Sequence, residues 1–326
     1  MRWISEHSRK VLLLGLVLAG VVQLVSGSLD VYYLNVGLMA AIHVALAVSL
    51  NLVNGYTGQF SLGHAGFMAV GAYSAAALTT ILPRSVPALA GLGPVTEQLW
   101  FLVATLVGGG MAALCGFLVG MPSLRLRGDY LAIVTLGFGE IIRVFIQSSD
   151  TLAGARGLSG IPPLSTPFAC IALAVISIYI CGNLVKSTYG LGYLATRDDE
   201  IAAESVGVNT TRCKVNAFVV AAFIAGMAGS LFGHLLQYIN PSQFGFLKSI
   251  EIVVLVILGG MGSTLGVAIA ATVMTFGLEQ MRALGDWRMV IYALLIIVFM
   301  IVRPQGFMGT LGVEPKSRKR RKKAKA

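Results

Sequence analysis

The segment that decides the fold lies at residues 51–66 and has the sequence NLVNGYTGQFSLGHAG. It interrupts an apolar region that extends from residue 31 to residue 82, and it combines glycines with Asn, Thr, Gln, Ser and His side chains. Non-helical backbone at membrane depth is tolerated only where it is buried in protein or lines a water-filled cavity. A second interruption, LGGMGSTLG, lies at residues 258–266. Interrupted helices in both halves of a chain are typical of transport proteins and indicate where the solute binds.

The composition around these segments is that of a membrane protein. Of the 326 residues, 56% are hydrophobic and only 12% are charged, and the mean hydropathy is +0.82. A soluble domain carries about 25% charged residues, and a single soluble core could hardly hide so many apolar side chains. Disorder, a coiled coil and almost every class of water-soluble enzyme are therefore excluded. We expect an all-α, polytopic membrane protein.

A membrane-spanning helix needs about 20 predominantly apolar residues. The clear runs of this kind are 11–28, 31–50, 63–82, 98–120, 129–147, 167–185, 215–236 and 287–302. A further run, 250–281, is divided by its glycines and is long enough for a short helix, a break and a full helix. About 8–10 spans are expected. The first run resembles a signal peptide, but an uncleaved first helix is favoured because so many spans follow it.

The orientation follows from the basic residues, because Lys and Arg concentrate in cytoplasmic loops. With the N-terminus inside, the inner segments 121–128, 186–214 and 303–326 hold most of the Lys and Arg residues, whereas Lys248 falls outside. Both termini are then cytoplasmic, and 250–281 forms a hairpin.

The last residues differ in composition from the rest of the chain. We expect one transmembrane domain over residues 1–313, followed by a basic tail at 314–326. Blocks of like charge stay disordered, so this tail is predicted to be a disordered cytoplasmic segment that contacts anionic lipid. Nucleic-acid binding is not expected, since no aromatic or groove-reading residues accompany the basic ones.

The two interrupted segments supply the candidates for a solute path or its gate. Small residues also let helices pack closely in membranes, and this simpler explanation suits scattered glycines such as Gly226 and Gly229. At 55–66, the interleaved polar side chains favour a functional break. His64 is ambiguous, since its ring could satisfy a backbone carbonyl or contact the solute. The candidates are Gly55, Thr57, Gly58, Gln59, Ser61, Gly63, His64, Gly259, Gly260, Gly262 and Ser263.

One pair of opposite charges lies within a predicted span. Glu140 and Arg143 are three residues apart and therefore share a helix face. Charges in the membrane are costly and are functional candidates by default. Because the polar residues 147–150 follow closely, the pair is equally suited to anchoring the helix near the outer interface.

The longest predicted cytoplasmic loop, 186–214, contains a predicted short amphipathic helix. The acids at 198–200 are followed by two alanines and suit a helix N-terminus, where carboxylates complement the dipole. Gly207 or Asn209 suits its end. Such a helix at the cytoplasmic face is a docking element, although an ordinary connector of the same length is also possible.

The residues of this loop resemble a known family. Ala202, Ala203 and Gly207 have the spacing of the EAA loop of ABC-importer permeases, a helix that inserts into a groove of the ATPase subunit. More closely, about residues 31–308 are similar to the branched-chain amino acid permease family of the LivM type. Ile201 stands where the broad importer consensus has Glu, but the closer family also has this pattern. The similar segments are GYTGQ at 55–59, SLGHAG at 61–66, RDDEIAAE at 197–204, FGFLKSIE at 244–251, LGGMGS at 258–263 and RPQG at 303–306.

The resemblance implies a bacterial inner-membrane importer of five subunits. The others would be a second homologous permease, two cytoplasmic ATP-binding subunits and a periplasmic substrate-binding protein. The sequence has no Gly-x-x-x-x-Gly-Lys-Ser/Thr phosphate loop, so ATP and Mg are expected in the partners, and this chain is expected not to be an enzyme. Closure of the ATPases would act on the coupling residues and tilt the helices beside the breaks. The coupling residues are Arg197, Asp198, Asp199, Glu200, Ala202, Ala203, Glu204 and Gly207. The implied solutes are Leu, Ile and Val, or a small relative such as urea or an amide.

Two other classes of protein compete with this interpretation. An ion-coupled secondary transporter or channel also uses broken helices and needs no ATPase, but more ionisable residues than Glu140 and Arg143 are expected in its spans. A membrane-embedded enzyme would need a cluster of His, Asp or Glu with metal or nucleophile geometry, and none is visible. The four cysteines also lack metal-ligand spacing, and no metal site is predicted.

Overall fold

The computed structural model describes residues 8–28, 30–81, 94–123, 129–285, 287–303 and 305–308. The predicted basic tail at 314–326 and part of the inner segment 121–128 lie outside these residues. Within them the chain is almost entirely helical, which confirms the all-α prediction. Apart from connecting segments, the described residues also contain a pair of two-residue antiparallel strands, β1 (Leu158–Ser159) and β2 (Tyr238–Ile239).

Twelve α-helices follow one another along the described residues. They are α1 (Ser8–Val25), α2 (Val31–Asn51), α3 (His64–Ala76), α4 (Pro94–Ser123), α5 (Asp129–Ser148), α6 (Pro167–Lys186), α7 (Thr188–Asp198), α8 (Glu200–Ser205), α9 (Thr210–Leu236), α10 (Phe246–Gly259), α11 (Thr264–Gln280) and α12 (Trp287–Val302). Helices α2 and α3 continue as π-helical turns at Leu52–Tyr56 and Ala77–Ile81.

Six helical stretches in the described part of the chain are long and apolar enough to cross a membrane. They are Val31–Tyr56, Thr96–Met121, Tyr130–Ser148, Pro167–Lys186, Thr210–Leu236 and Pro241–Gly259. Three shorter apolar helices lie at Leu12–Ser28, Thr264–Gln280 and Val290–Val302. The chain is therefore polytopic. The number of 8–10 spans stays a prediction, since it depends on whether the shorter helices cross as well.

The core forms around α2 and α9, the most buried of the six long stretches. Helix α9 packs on α3 and α4, while α2 packs on α6, α9 and α11. Glycines permit the close approach on α9: a Cβ on Gly229 would lie 2.0 Å from the Met68 carbonyl oxygen, and one on Gly226 would lie 2.5 Å from Ala112 Cβ. These two glycines serve helix packing, as the simpler explanation predicts.

The divided run near the C-terminus forms two helices joined by a break. Helix α10 ends at Gly259 and α11 begins at Thr264, and the two helices contact each other. Gly260 and Gly262 have φ angles of +95° and +83°, which other residues rarely adopt. The short helix, break and longer helix agree with the prediction. However, α10 begins at Phe246, so Lys248 lies in the first turn of this helix and not in the connecting loop; the side of the membrane on which it lies stays a prediction.

Candidate functional site

The first break follows a π-helical turn at the end of α2. From Thr57 to Gly63 the chain is not helical, although most of its polar side chains are buried. The Asn54 carbonyl Oδ1 accepts a hydrogen bond from the Ser61 N–H (3.2 Å), and the Thr57 hydroxyl donates to the Val53 carbonyl (2.7 Å). Side chains thus replace part of the missing helical bonding, as buried backbone requires.

The two breaks contact each other directly. The Gly262 N–H donates to Asn51 Oδ1 (2.9 Å), and the Tyr56 hydroxyl lies 2.8 Å from Thr264 Oγ1. A Cβ on Gly55 would lie 2.1 Å from Asn51 Oδ1 and 2.4 Å from the Gly262 nitrogen. Only glycine fits at this contact, and the two segments close against each other.

Arg197, the penultimate residue of α7, contacts both breaks. Its Nη1 donates to the Gly55 carbonyl (3.3 Å) and lies 3.3 Å from the position of a Cβ on Gly262. Gly58, whose φ of +69° is left-handed, packs on the same side chain. The neighbouring Asp198 carboxylate holds the guanidinium at 3.0 Å. Three segments that the sequence marks separately therefore meet at one arginine.

Both ends of the short helix α8 lie where the sequence predicts them. Asp199 caps its start, because its Oδ1 accepts hydrogen bonds from the Ile201 and Ala202 N–H groups, both at 3.0 Å. Gly207 follows its end with a φ of +86°. The Val208 N–H bonds to the Ala203 carbonyl, the arrangement of a glycine-terminated helix. Asn209 instead caps α9 through the Arg212 N–H.

Two side-chain contacts join α8 to the first turns of α9. Lys214 Nζ donates to Glu200 at 2.6 Å, and the Thr210 hydroxyl donates to Glu204 at 2.6 Å. Lys214 is buried, whereas the Glu200 side chain is 26% exposed, so only the lysine end of this pair is shielded from water. In α7, burial raises the pKa of the Tyr193 hydroxyl to about 12. The region 186–214 is therefore a packed unit tied to α9.

Apolar side chains on the outside of this unit are exposed. Tyr189, Leu191, Ile201 and Val206 expose between 60% and 78% of their surface. They lie between the long apolar stretches Pro167–Lys186 and Thr210–Leu236 and not within them. An exposed apolar patch outside the spans indicates a surface for another protein.

The remaining path candidates lie at the start of α3. The His64 ring bonds through Nε2 to the Ser49 hydroxyl at 2.9 Å and also interacts with the Leu46 backbone, so it contacts a backbone carbonyl as one of its predicted roles requires. Since that hydroxyl also donates to the Leu46 carbonyl, Nε2 carries the proton. Gly63 packs against α5, where a Cβ would lie 2.4 Å from the Thr135 carbonyl oxygen. Gly259 and Ser263 lie at the two ends of the second break: the Gly259 carbonyl accepts from the Met308 N–H (3.3 Å), and the Ser263 hydroxyl oxygen accepts from the Gly266 N–H of α11 (3.2 Å).

The predicted charge pair forms, and it has charged neighbours that the sequence argument missed. Arg143 Nε donates to Glu140 at 2.6 Å. Nearby on α10, Lys248 bonds to Glu251 at 3.0 Å and contacts His43 of α2 at 3.0 Å. The sequence KSIE at 248–251 has opposite charges three residues apart, which would have indicated this second ion pair. The assignment of Lys248 to a loop left that pair unrecognised.

In the described ranges, no three His, Cys, Asp or Glu side chains could together hold a metal ion.

The sequence of this chain is similar to a known family of proteins. The sequence profile of the family described as branched-chain amino acid transport system / permease component matches residues 32–301. The permease protein LivM of Salmonella typhimurium, of a high-affinity branched-chain amino acid transport system, is 33% identical over 317 residues, covering 86% of this chain and 70% of that protein. LivM of Escherichia coli is 33% identical over 84% of this chain and 69% of its own length. BraD of Pseudomonas aeruginosa is 26% identical over 83% of this chain and 93% of its own length. No solved structure matches.

The matched region extends from α2 to the end of α12 and includes both breaks, the 186–214 unit and the charged side chains. The relatives are permease components, which are transport subunits and not enzymes. The chain therefore belongs to the family of branched-chain amino acid transport system permease components.

Proposed function

We propose that this chain is the membrane permease subunit of an ATP-driven importer for branched-chain amino acids or a related small solute. The single observation that carries the proposal is the contact of Arg197 with both breaks. A movement of the 186–214 unit would reach the two segments that close against each other, without any intermediate element. That is the connection an importer needs between an ATPase and a gate.

The proposed assembly contains a second homologous permease, two cytoplasmic ATP-binding subunits and a periplasmic substrate-binding protein. ATP and Mg would bind to the ATP-binding subunits. The assembly would lie in a bacterial inner membrane, with both termini of this chain in the cytoplasm. The distribution of Lys and Arg supports this orientation.

The exposed apolar side chains of the 186–214 unit would bind the ATPase. Ile201, in the first turn of α8, is 66% exposed, and Val206, directly after its last residue, is 78% exposed. Burial of such side chains in a partner's groove drives association. The ion pair between Glu200 and Lys214 would then pass the movement of α8 to α9, the helix that packs on α3 and α4.

The polar side chains of the first break would face the solute when the breaks separate. Asn51 Nδ2, Asn54 Nδ2 and both amide atoms of Gln59 are buried and have no hydrogen-bond partner among the described residues. Buried polar atoms normally have partners. When the breaks separate, these amide groups could bind water or the solute. Their lack of partners in the closed arrangement therefore supports a path that alternates between closed and open.

Charging the exposed apolar surface tests the docking step. Ile201→Glu together with Val206→Glu should remove the ATPase subunits from the purified complex, because the desolvation of a carboxylate in an apolar groove is unfavourable. The measurement is the amount of ATPase that co-purifies with the tagged chain. Thr211→Glu, an exposed position on the first turn of α9, is the matched control and should leave the complex intact. Undiminished ATPase in the double variant would rule out this surface.

Gly207 tests the coupling step itself. Its left-handed φ is unfavourable for side chains with a Cβ, although no neighbour lies within 4 Å. Gly207→Val should therefore unwind the end of α8 and leave ATP hydrolysis uncoupled from uptake. Gly207→Asn should retain more uptake, since Asn tolerates this conformation. The measurement is solute taken up per ATP hydrolysed; a normal ratio in Gly207→Val would contradict the assignment.

A further inference from the structure

A group of charged side chains lies away from the two breaks. Lys248 Nζ on α10 donates to Glu251 Oε2 at 3.0 Å and lies 3.0 Å from His43 Nε2 on α2. His43 Nδ1 in turn lies 2.9 Å from Thr275 Oγ1 on α11. The cluster therefore joins three helices through polar contacts.

The pair of Glu140 and Arg143 on α5 lies beside this cluster. Gly245 immediately precedes α10, and a Cβ placed on it would lie 3.8 Å from Arg143 Cδ and 3.9 Å from Glu140 Oε1. The Lys248 N–H bonds to the Gly245 carbonyl, one helical turn away. The two ion pairs therefore flank the first turn of α10, one on this helix and one on α5.

Both pairs lie within stretches of the chain that could cross a membrane. Along α2, His43 is eight residues before Asn51, and along α10, Glu251 is eight residues before Gly259. With a rise of about 1.5 Å per residue, each lies about 12 Å from the contact between the breaks. Glu140 and Arg143 belong to the stretch Tyr130–Ser148, and Lys248 and Glu251 to Pro241–Gly259; both stretches are long and apolar enough to cross a membrane.

The four charged side chains are partly exposed on the surface of this subunit. The side chains of Glu140, Arg143 and Glu251 are 35%, 29% and 32% exposed, and that of Lys248 is 15% exposed. Ionised groups at this depth do not face lipid; they face the bundle interior, a partner or a water-filled cavity. Moreover, within the described ranges neither Nη nitrogen of Arg143 has a hydrogen-bond partner, so this guanidinium has free donors.

These four side chains supply two cations and two anions on one surface. A zwitterion carries the complementary charges: a guanidinium binds a carboxylate through parallel hydrogen bonds, and a carboxylate binds an ammonium group. A neutral solute such as urea has no charged group that could replace a partner in either ion pair. We propose that Glu140, Arg143, Lys248 and Glu251 form the wall of the aqueous path and bind the two charged groups of a zwitterionic amino acid. The inference rests on the proposed permease function.

Water access to this wall is tested with a cysteine on the same face. Leu247 is 80% exposed and lies one turn before Glu251. In a chain whose four native cysteines are replaced, Leu247→Cys should react with a water-soluble thiol reagent in the complete transporter, and leucine should slow the reaction. Leu114→Cys, 52% exposed in the middle of α4, is the lipid-facing control and should not react.

The binding of charge is tested separately by uptake. Arg143→Met and Glu251→Gln should each reduce leucine uptake about tenfold or more, whereas Arg143→Lys should retain part of it, because the positive charge remains. Normal co-purification of the ATPase in these variants would exclude misfolding.

The outcomes separate the two proposals. A Leu247→Cys chain that reacts no faster than Leu114→Cys, in a transporter that still takes up leucine with ATP, overturns the wall and leaves the permease function intact. Unchanged leucine uptake in Arg143→Met and Glu251→Gln also overturns it. Wild-type uptake that does not depend on ATP would instead overturn the proposed function.

Discussion

Replacement of Arg197 by glutamine is expected to uncouple the transporter, with uptake lost while the ATPases still bind and hydrolyse ATP. The guanidinium donates to the Gly55 carbonyl and packs on Gly58 and Gly262. Hydrogen bonds to charged groups contribute roughly 1.5–3 kcal/mol, so loss of this contact should reduce coupled uptake about tenfold or more.

The measurement is uptake and ATP hydrolysis in the same proteoliposomes. Arg212→Gln is the matched control, since this arginine lies exposed on the first turn of α9. The control should behave as the wild type. If Arg197→Gln and Arg212→Gln take up the solute equally well, Arg197 does not connect the 186–214 unit to the breaks.

The replacement of Gly55 by valine should have an equally large effect, because it acts on the contact between the breaks. Its Cβ would lie 2.1 Å from Asn51 Oδ1 and 2.4 Å from the Gly262 nitrogen. Overpacking of a tight contact costs about 1–3 kcal/mol or more. The two segments would separate, and the closed arrangement would be lost.

We expect Gly55→Val to abolish ATP-coupled uptake and to let solute leak through transporters without ATP. Gly110→Val is the control on α4, where a Cβ would have no neighbour within 4 Å. Asn51→Ala should give a milder leak, because it removes only the acceptor of the Gly262 N–H. This milder variant keeps the test decisive if Gly55→Val does not fold. A tight, fully coupled Asn51→Ala transporter would contradict the gate.

Local features were predictable from the sequence. The acids and the glycine that border α8 have short-range effects, so its start could be placed at the acids 198–200 and its end at Gly207 or Asn209 without knowledge of the fold; the structure selects Asp199 and Gly207. The break at 260–263 was predictable for the same reason, because closely spaced glycines interrupt a helix whatever that helix packs against. Gly260 and Gly262 indeed have positive φ angles. The family resemblance then implied a coupling role for the 186–214 loop, which stays a proposal.

Contacts between distant segments were not predictable. The bond between Arg197 and Gly55 joins residues 142 positions apart, and Lys248 contacts His43 across 205 positions. The rule that assigns basic residues to loops placed Lys248 outside the membrane, because it does not consider whether a partner can neutralise a charge. For the same reason, the comparison with ion-coupled transporters counted too few charges in the spans. Family membership, and not that count, favours the importer.

The central claim is that ATPase partners move this chain through its 186–214 unit. The most direct test is gentle detergent purification of the tagged chain from its native membrane, followed by mass spectrometry of the proteins that accompany it. We predict two ATP-binding subunits and a second permease. A chain that emerges alone or as a homo-oligomer, and that still transports after reconstitution, would contradict the claim and favour an ion-coupled transporter.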